Sequence, residues 1–210
     1  MLGGLIKSTL ARLRGTPPDV PRQPGTWNHA DIDWMAARVR GVPGDFAEIG
    51  VFRGAAFRRV ATLAASQQRM AHAFDSFRGM GEPSEYDGTY YPKGRFDIGG
   101  PERFIALMDD AGVPRETYRL WPGYVPDCFA GAPDDLRFAF VILDVDHYEP
   151  TVDGLRWLAP RIAPGGILAL DDWLPAHDGM ATKAIKAFLA ERPPFTRIAE
   201  MNQQLILRRR

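Results

Sequence analysis

The chain has 210 residues, enough for one domain with a substantial core and short for two. Its 26 Lys and Arg balance 26 Asp and Glu, so no excess of positive charge argues for nucleic acid or an anionic membrane as partner. The lone cysteine, Cys128, rules out an internal disulfide and agrees with a reducing cytoplasm. No apolar run is long enough to span a bilayer or to form the block of a secretory signal, so a soluble cytoplasmic protein without membrane insertion is expected.

Between Met1 and Arg14, Leu2, Leu5, Ile6, Leu10 and Leu13 share one helical face, which predicts a short amphipathic helix followed by a Pro-rich linker from Pro17 to Pro24. Packing onto its own domain or a twin subunit is a commoner fate for such a helix than lying on a membrane, a hint of a homodimer. Residues 1–27 therefore read as leader and linker, and residues 28–210 as a single domain. Asn28 caps a predicted helix through Asp33, Met35, Ala36 and Val39 that stops near Gly41 and Pro43.

Asp45 to Ala64 is the first stretch with chemical content. Phe46 to Val51 reads as a strand, Gly50 and Gly54 fall in the turn after it, and Ala55 to Ala64 continues as a helix. Glycines there let backbone approach a ligand, and the helix start offers unpaired amides. The dinucleotide fingerprint is not matched, because Phe52 stands where its second glycine belongs, and a tight turn needs glycine whatever binds. A second strand ends at Asp75, where α/β folds place an acid that holds the two hydroxyls of a ribose; the plain alternative is a turn aspartate. Residues 79–100 lack periodicity and carry Tyr86, Tyr90, Tyr91, Lys93 and Arg95, as a mobile lid over a substrate would. A helix from Pro101 to Ala111 and a strand near Tyr118 to Trp121 follow.

Phe138 to Thr151 and Gly165 to Trp173 are apolar, β-branched runs that end abruptly in carboxylates, as buried parallel strands do where they open onto a site. Val152, Leu155, Leu158 and Ile162 give the segment between them helical spacing, broken by Pro164 and Gly165. A right-handed crossover sets the two strands side by side, so Asp144, Asp171 and Asp172 reach one sheet edge. Three converging carboxylates repel unless protons or a cation neutralise them, and oxygen ligands suit a hard divalent ion, magnesium first. Taken singly, Asp146 and Asp172 would cap the following helices. A helix from Met180 to Glu191 and an antiparallel hairpin of Thr196 to Met201 with Leu205 to Arg209 close the chain.

With GDFAEIGVFRG, FDSFRGM, LDVDHYEPT and GGILALDDW in this order, the chain from about Gly41 to Leu189 resembles the macrocin O-methyltransferase (TylF-like) family of metal-dependent sugar O-methyltransferases that use S-adenosylmethionine. The resemblance implies a class I methyltransferase (Rossmann-like) α/β fold: a three-layer sandwich around a seven-stranded, mostly parallel sheet with its last strand antiparallel. It also implies that Glu48, Gly50 and Gly54 border the methionine part and ribose of S-adenosylmethionine, that Asp75 holds the ribose hydroxyls, and that Ser76 lies near the adenine. Magnesium would be held by Asp144, Asp171 and Asp172, with Asp144 also placed to help take the substrate's proton and Asp146 in a supporting or capping place. His147 stands where an apolar residue is expected.

Such a set supports transfer of a sulfonium methyl to a hydroxyl, and two vicinal hydroxyls chelating the ion suggest a sugar or polyol acceptor, or a catechol. His147 reads either as an assisting base or as an exposed loop histidine. Two other classes stay open. Asp144 and Asp146 could form the metal motif of a nucleotide-sugar glycosyltransferase, and a non-catalytic protein could bind the cofactor without turnover. A haloacid dehalogenase phosphatase also uses Asp-x-Asp after a strand, but it wants a lysine before the later acidic pair, and Lys183 follows it.

Overall fold

The alternation of apolar runs and amphipathic segments resolves into alternating strands and helices in a computed structural model that describes residues 16–23 and 25–210. The amphipathic leader predicted for Met1 to Arg14 lies outside those residues. In chain order the elements are α1 (His29–Arg38), β1 (Asp45–Ile49), α2 (Phe57–Ser66), β2 (Ala71–Asp75), α3 (Pro101–Asp110), β3 (Tyr118–Pro122), β4 (Phe138–Leu143), α4 (Tyr148–Leu158), β5 (Ile162–Leu170), α5 (Met180–Ala190), β6 (Phe195–Met201) and β7 (Gln204–Arg209). The seven strands form one sheet in the order β3-β2-β1-β4-β5-β7-β6, and β7 alone runs against the direction of the other six. This is the class I methyltransferase arrangement expected from the sequence.

Period-two patterning splits the core between the two faces of the sheet. Phe140 and Ile142 of β4 pack with Ile32, Phe57, Val60 and Phe104 from α1, α2 and α3. Val141 and Leu143 pack on the other face with Leu155, Leu158 and Ile185 from α4 and α5. All six residues of β4 are buried, as a central parallel strand covered on both sides must be.

One boundary differs from the sequence pattern. Ile162, expected on the inner face of the crossover helix, instead opens β5 and pairs with Phe138. The helix stops at Leu158 because Pro160 has no amide to return to the helix, so Pro164 and Gly165 interrupt a strand rather than end a helix. The register is irregular there, with Phe138 opposite Ile162 but Phe140 opposite Ile167.

Candidate active site

The parallel strands carry their hydrogen bonding one residue past their ends, and this lines up the candidate residues. The amide of Gly50 donates to Phe74 O at 2.8 Å, that of Asp144 to Ile49 O at 2.8 Å, and that of Asp171 to Leu143 O at 3.0 Å. Gly50, Asp75, Asp144 and Asp171 therefore share one end of the sheet, around the β1–β4 junction where the strand order reverses and α/β folds open a crevice. Oxygens of Asp144, Asp171 and Asp172 lie within 4.8 Å of one another. Asp172 takes its place through a left-handed turn (φ 54°), pinned where the Thr182 hydroxyl donates to its carbonyl at 2.5 Å.

Asp171 is 5% exposed, while Asp144, Asp146 and Asp172 keep part of their surface at the mouth. Burial, then mutual repulsion, pushes the carboxyls of Asp144 and Asp146 well above the ordinary range and that of Asp171 up to about 7. Among the described residues, no Lys, Arg or His forms an ion pair with any of these four. Asp172 Oδ2 is a buried oxygen without a hydrogen-bond partner. The donor set is all carboxylate, crowded and uncompensated, which suits a hard divalent cation. Asp146 does not cap α4. Its backbone is left-handed (φ 56°), its carboxyl faces Asp172, and the cap position belongs to His147.

On the neighbouring strands, Glu48 is 3% exposed, and its Oε2 is a second buried oxygen without a partner. Burial, Asp75 and Asp171 raise its carboxyl well above the usual range. Asp75 Oδ2 accepts the amides of Val51 (2.8 Å) and Phe52 (3.0 Å), and Oδ1 that of Phe77 (2.6 Å), so this acid also shapes the glycine turn. Both glycines have protein reasons to be glycine. A Cβ on Gly50 would stand 1.7 Å from Asp144 O, and one on Gly54 2.3 Å from Met108 Cε. We expect Gly50→Ala to cost at least ~3 kcal/mol. The loss would register, with no ligand added, as a melting temperature lower by roughly 6 °C or more. The Ser76 hydroxyl is engaged in the turn that follows, donating to Gly79 O at 2.8 Å and accepting the Arg78 amide at 3.0 Å.

The irregular stretch 79–100 is tied across the acidic cluster. Asp87, 3% exposed, accepts the Tyr148 amide at the start of α4 at 2.6 Å, and Tyr86 O accepts the Met180 amide at the start of α5 at 3.0 Å. His147 is not the exposed loop histidine that its position suggested. It is 2% exposed, and its Nε2 lies 3.0 Å from Tyr91 O. A carbonyl can only accept, so Nε2 carries the proton and only Nδ1 is left as a basic nitrogen. Burial first, then Asp146, Asp172 and Asp144, push the Tyr91 phenol above its usual range, as expected of a ring beside the cluster.

Two neighbours of the cluster escaped the sequence reading. Trp27 Nε1 donates to Asp144 Oδ2 at 3.1 Å, and Gln204 Nε2 donates to Asp171 Oδ1 at 2.9 Å. Trp27 lies in the stretch assigned to the linker, where its one signal was a large aromatic among Pro, Gly and polar residues. Gln204 sits at a hairpin turn, where a polar residue is unremarked.

Comparison with known proteins matches residues 31–207 to the family described as Macrocin-O-methyltransferase (TylF). An 8-demethyl-8-(2,3-dimethoxy-alpha-L-rhamnosyl)-tetracenomycin-C 4'-O-methyltransferase of Streptomyces olivaceus is 34% identical over 142 residues, covering 63% of this chain and 54% of that protein. The chain thus spans about half the length of this curated relative. Among solved structures, the O-methyltransferase NovP superposes with a TM-score of 0.70 at 23% identity, covering 99% of this chain and 93% of that one. The calicheamicin methyltransferase CalS11 gives 0.71 at 25%, covering 86% and 77%.

Proposed function

The chain belongs to the macrocin-O-methyltransferase (TylF) family, and from that premise we propose that it moves the methyl group of S-adenosylmethionine onto a hydroxyl of a sugar or another vicinal-diol small molecule, with magnesium held by Asp144, Asp171 and Asp172. The observation that carries the reading is the convergence of uncompensated carboxylates at the ends of β4 and β5, next to the Glu48, Gly50 and Asp75 edge. The relatives' names agree: the Streptomyces olivaceus protein is named for methylation of a rhamnosyl compound.

In this reading the acceptor oxygen attacks the methyl carbon in line, the C–S bond breaks with its electron pair left on sulfur, and the hydroxyl proton leaves to a base. S-Adenosylmethionine supplies the methyl group, and a divalent cation would act as a Lewis acid that stabilises charge building on the acceptor oxygen. Glu48 and Asp75 would hold the cofactor, Glu48 at its methionine part and Asp75 at its ribose. The Asp144 oxygen that Trp27 does not bond would hold the cation and, once ionised, help take the acceptor proton. The lid, tied down through Asp87, Tyr86 and His147, excludes water from that transfer.

His147 serves this scheme best as the anchor of Tyr91. We expect His147→Gln, which keeps a side-chain N–H for the Tyr91 carbonyl, to leave the dependence of rate on pH unaltered. His147→Ala should raise KM by roughly tenfold through a loosened lid. A shifted pH profile in the Gln variant would return the base role to the histidine.

The reading itself is tested by calorimetry with S-adenosylhomocysteine, with and without magnesium, followed by a screen of glycoside acceptors. Binding followed by magnesium-dependent methyl ether formation is expected. Absence of any affinity for S-adenosylhomocysteine would remove the methyl-transfer reading, and binding with no methylated product would leave a cofactor-binding protein.

A further inference from the structure

Two of the three proposed ligand carboxylates are hydrogen-bonded by groups that belong to, or are tied to, the segment ahead of Asn28, which lies outside the family-matched region 31–207. Trp27 spends its only side-chain N–H on Asp144 Oδ2, across 117 residues of sequence. The Gln204 amide bonds Asp171 Oδ1 at 2.9 Å and Thr26 O at 3.3 Å, and its two amide hydrogens can serve both partners at once.

The segment is itself fastened. Arg22 forks onto Asp31 at 2.6 and 2.7 Å, and Asp31 is fully buried at the start of α1, so this bond cannot be exchanged for water without cost. Asn202, at the β6–β7 turn, donates to Gln23 O at 3.0 Å. The anchors hold the chain on both sides of Thr26 and Trp27, against the end of the sheet where the acids converge.

We propose that Trp27 is a positioning residue of the cation site: its indole N–H holds one Asp144 oxygen so that the other stays turned toward Asp171 and Asp172. The inference rests on the cation reading given above. Packing alone accounts for the ring, which lies against the apolar core, and a phenyl ring would pack there as well. It does not account for a donor aimed at a carboxylate that its acidic neighbours would otherwise turn away. Partners that orient ligand groups in this way typically contribute about 10- to 100-fold in metal affinity.

The test is calorimetric titration of magnesium into the full chain as wild type, Trp27→Phe and Arg22→Gln, with melting temperature and S-adenosylhomocysteine affinity measured on each without metal. Trp27→Phe should weaken magnesium binding by roughly tenfold or more. Its melting temperature and S-adenosylhomocysteine affinity should stay close to wild type, since neither needs the indole N–H. Arg22→Gln, far from the carboxylates, should weaken magnesium in the same direction by freeing the segment. Magnesium affinity in Trp27→Phe equal to wild type would overturn the inference alone, and should that variant not fold, unchanged affinity in Arg22→Gln would do so. Wild-type protein with no affinity for magnesium would instead refute the cation reading beneath it.

Discussion

Asp144→Asn is expected to lower turnover about a thousandfold while leaving the metal-free protein at least as stable as wild type. A thousandfold corresponds to roughly 4 kcal/mol of barrier, the scale of several kcal/mol that a divalent cation contributes to developing charge. The amide fills the same space and keeps one oxygen for Trp27, but it loses both the charge that holds the ion and the basic oxygen. Stability should not suffer, because burial and then repulsion from Asp171, Asp146, Asp172 and Glu48 raise the carboxyl of the acid it replaces, and a neutral amide carries neither cost. Turnover within tenfold of wild type in saturating magnesium would end the proposed role.

The same crowding fixes a pH dependence. Asp171 is raised from 3.8 to about 7, chiefly by burial and then by Asp172, so between these values the folded metal-free chain holds a proton that the unfolded chain releases. Stability therefore falls as pH rises across that window, by on the order of a few kcal/mol, and the loss is complete above about 7. A cation takes the proton's place, so magnesium should bind more tightly as pH rises through the same range, with protons released to the buffer. Melting curves from pH 5 to 8, with and without magnesium, check both signs: a falling temperature without the ion and a flattened or rising one with it. In Asp171→Asn both slopes should shrink.

The second large effect is expected at Asp75. Asp75→Ala should reduce affinity for S-adenosylhomocysteine at least a hundredfold, measured by calorimetry, with little dependence on magnesium. Two losses combine. The proposed ribose contact loses the acceptor position left on Asp75 Oδ1, and the amides of Val51, Phe52 and Phe77 lose their acceptor. Phe52 and Phe77 both hold left-handed backbone (φ 46° and 56°), a conformation that costs a non-glycine residue free energy and that these bonds sustain. Asp75→Asn separates the two contributions. Its one remaining side-chain oxygen can keep part of the turn, so it should bind S-adenosylhomocysteine better than the Ala variant and worse than wild type. Wild-type affinity in Asp75→Ala would remove the cofactor from this edge of the sheet.

Much of this site could be read from local sequence. A run such as Phe138 to Leu143 is uniformly apolar because both faces are covered, and its end is marked where Asp144 meets the crevice. Gly50 and Gly54 announced a turn correctly, and the sequence left open whether a ligand or the turn itself needs glycine there; the atoms their Cβ would strike belong to Asp144 and Met108. Ile162 kept helical spacing with Leu155 and Leu158, but Pro160 ends the helix before it and Ile162 opens β5. His147 showed no periodic signal at all, since its partner, the Tyr91 carbonyl, comes from the irregular stretch 79–100, whose path local pattern does not specify.

What the sequence determined by itself was the order of elements, the strand ends that carry acids and the crossover that brings them to one edge, because each follows from side-chain spacing over a few residues and from chain handedness. Only the tertiary structure decided which distant groups complete the site. Trp27 reaches Asp144 across 117 residues, and Gln204 joins Asp171 to Thr26, through bonds set by where the chain crosses itself. A hydrogen bond has a length and a direction but no periodicity along the chain, so nothing in the spacing of residues could announce these two.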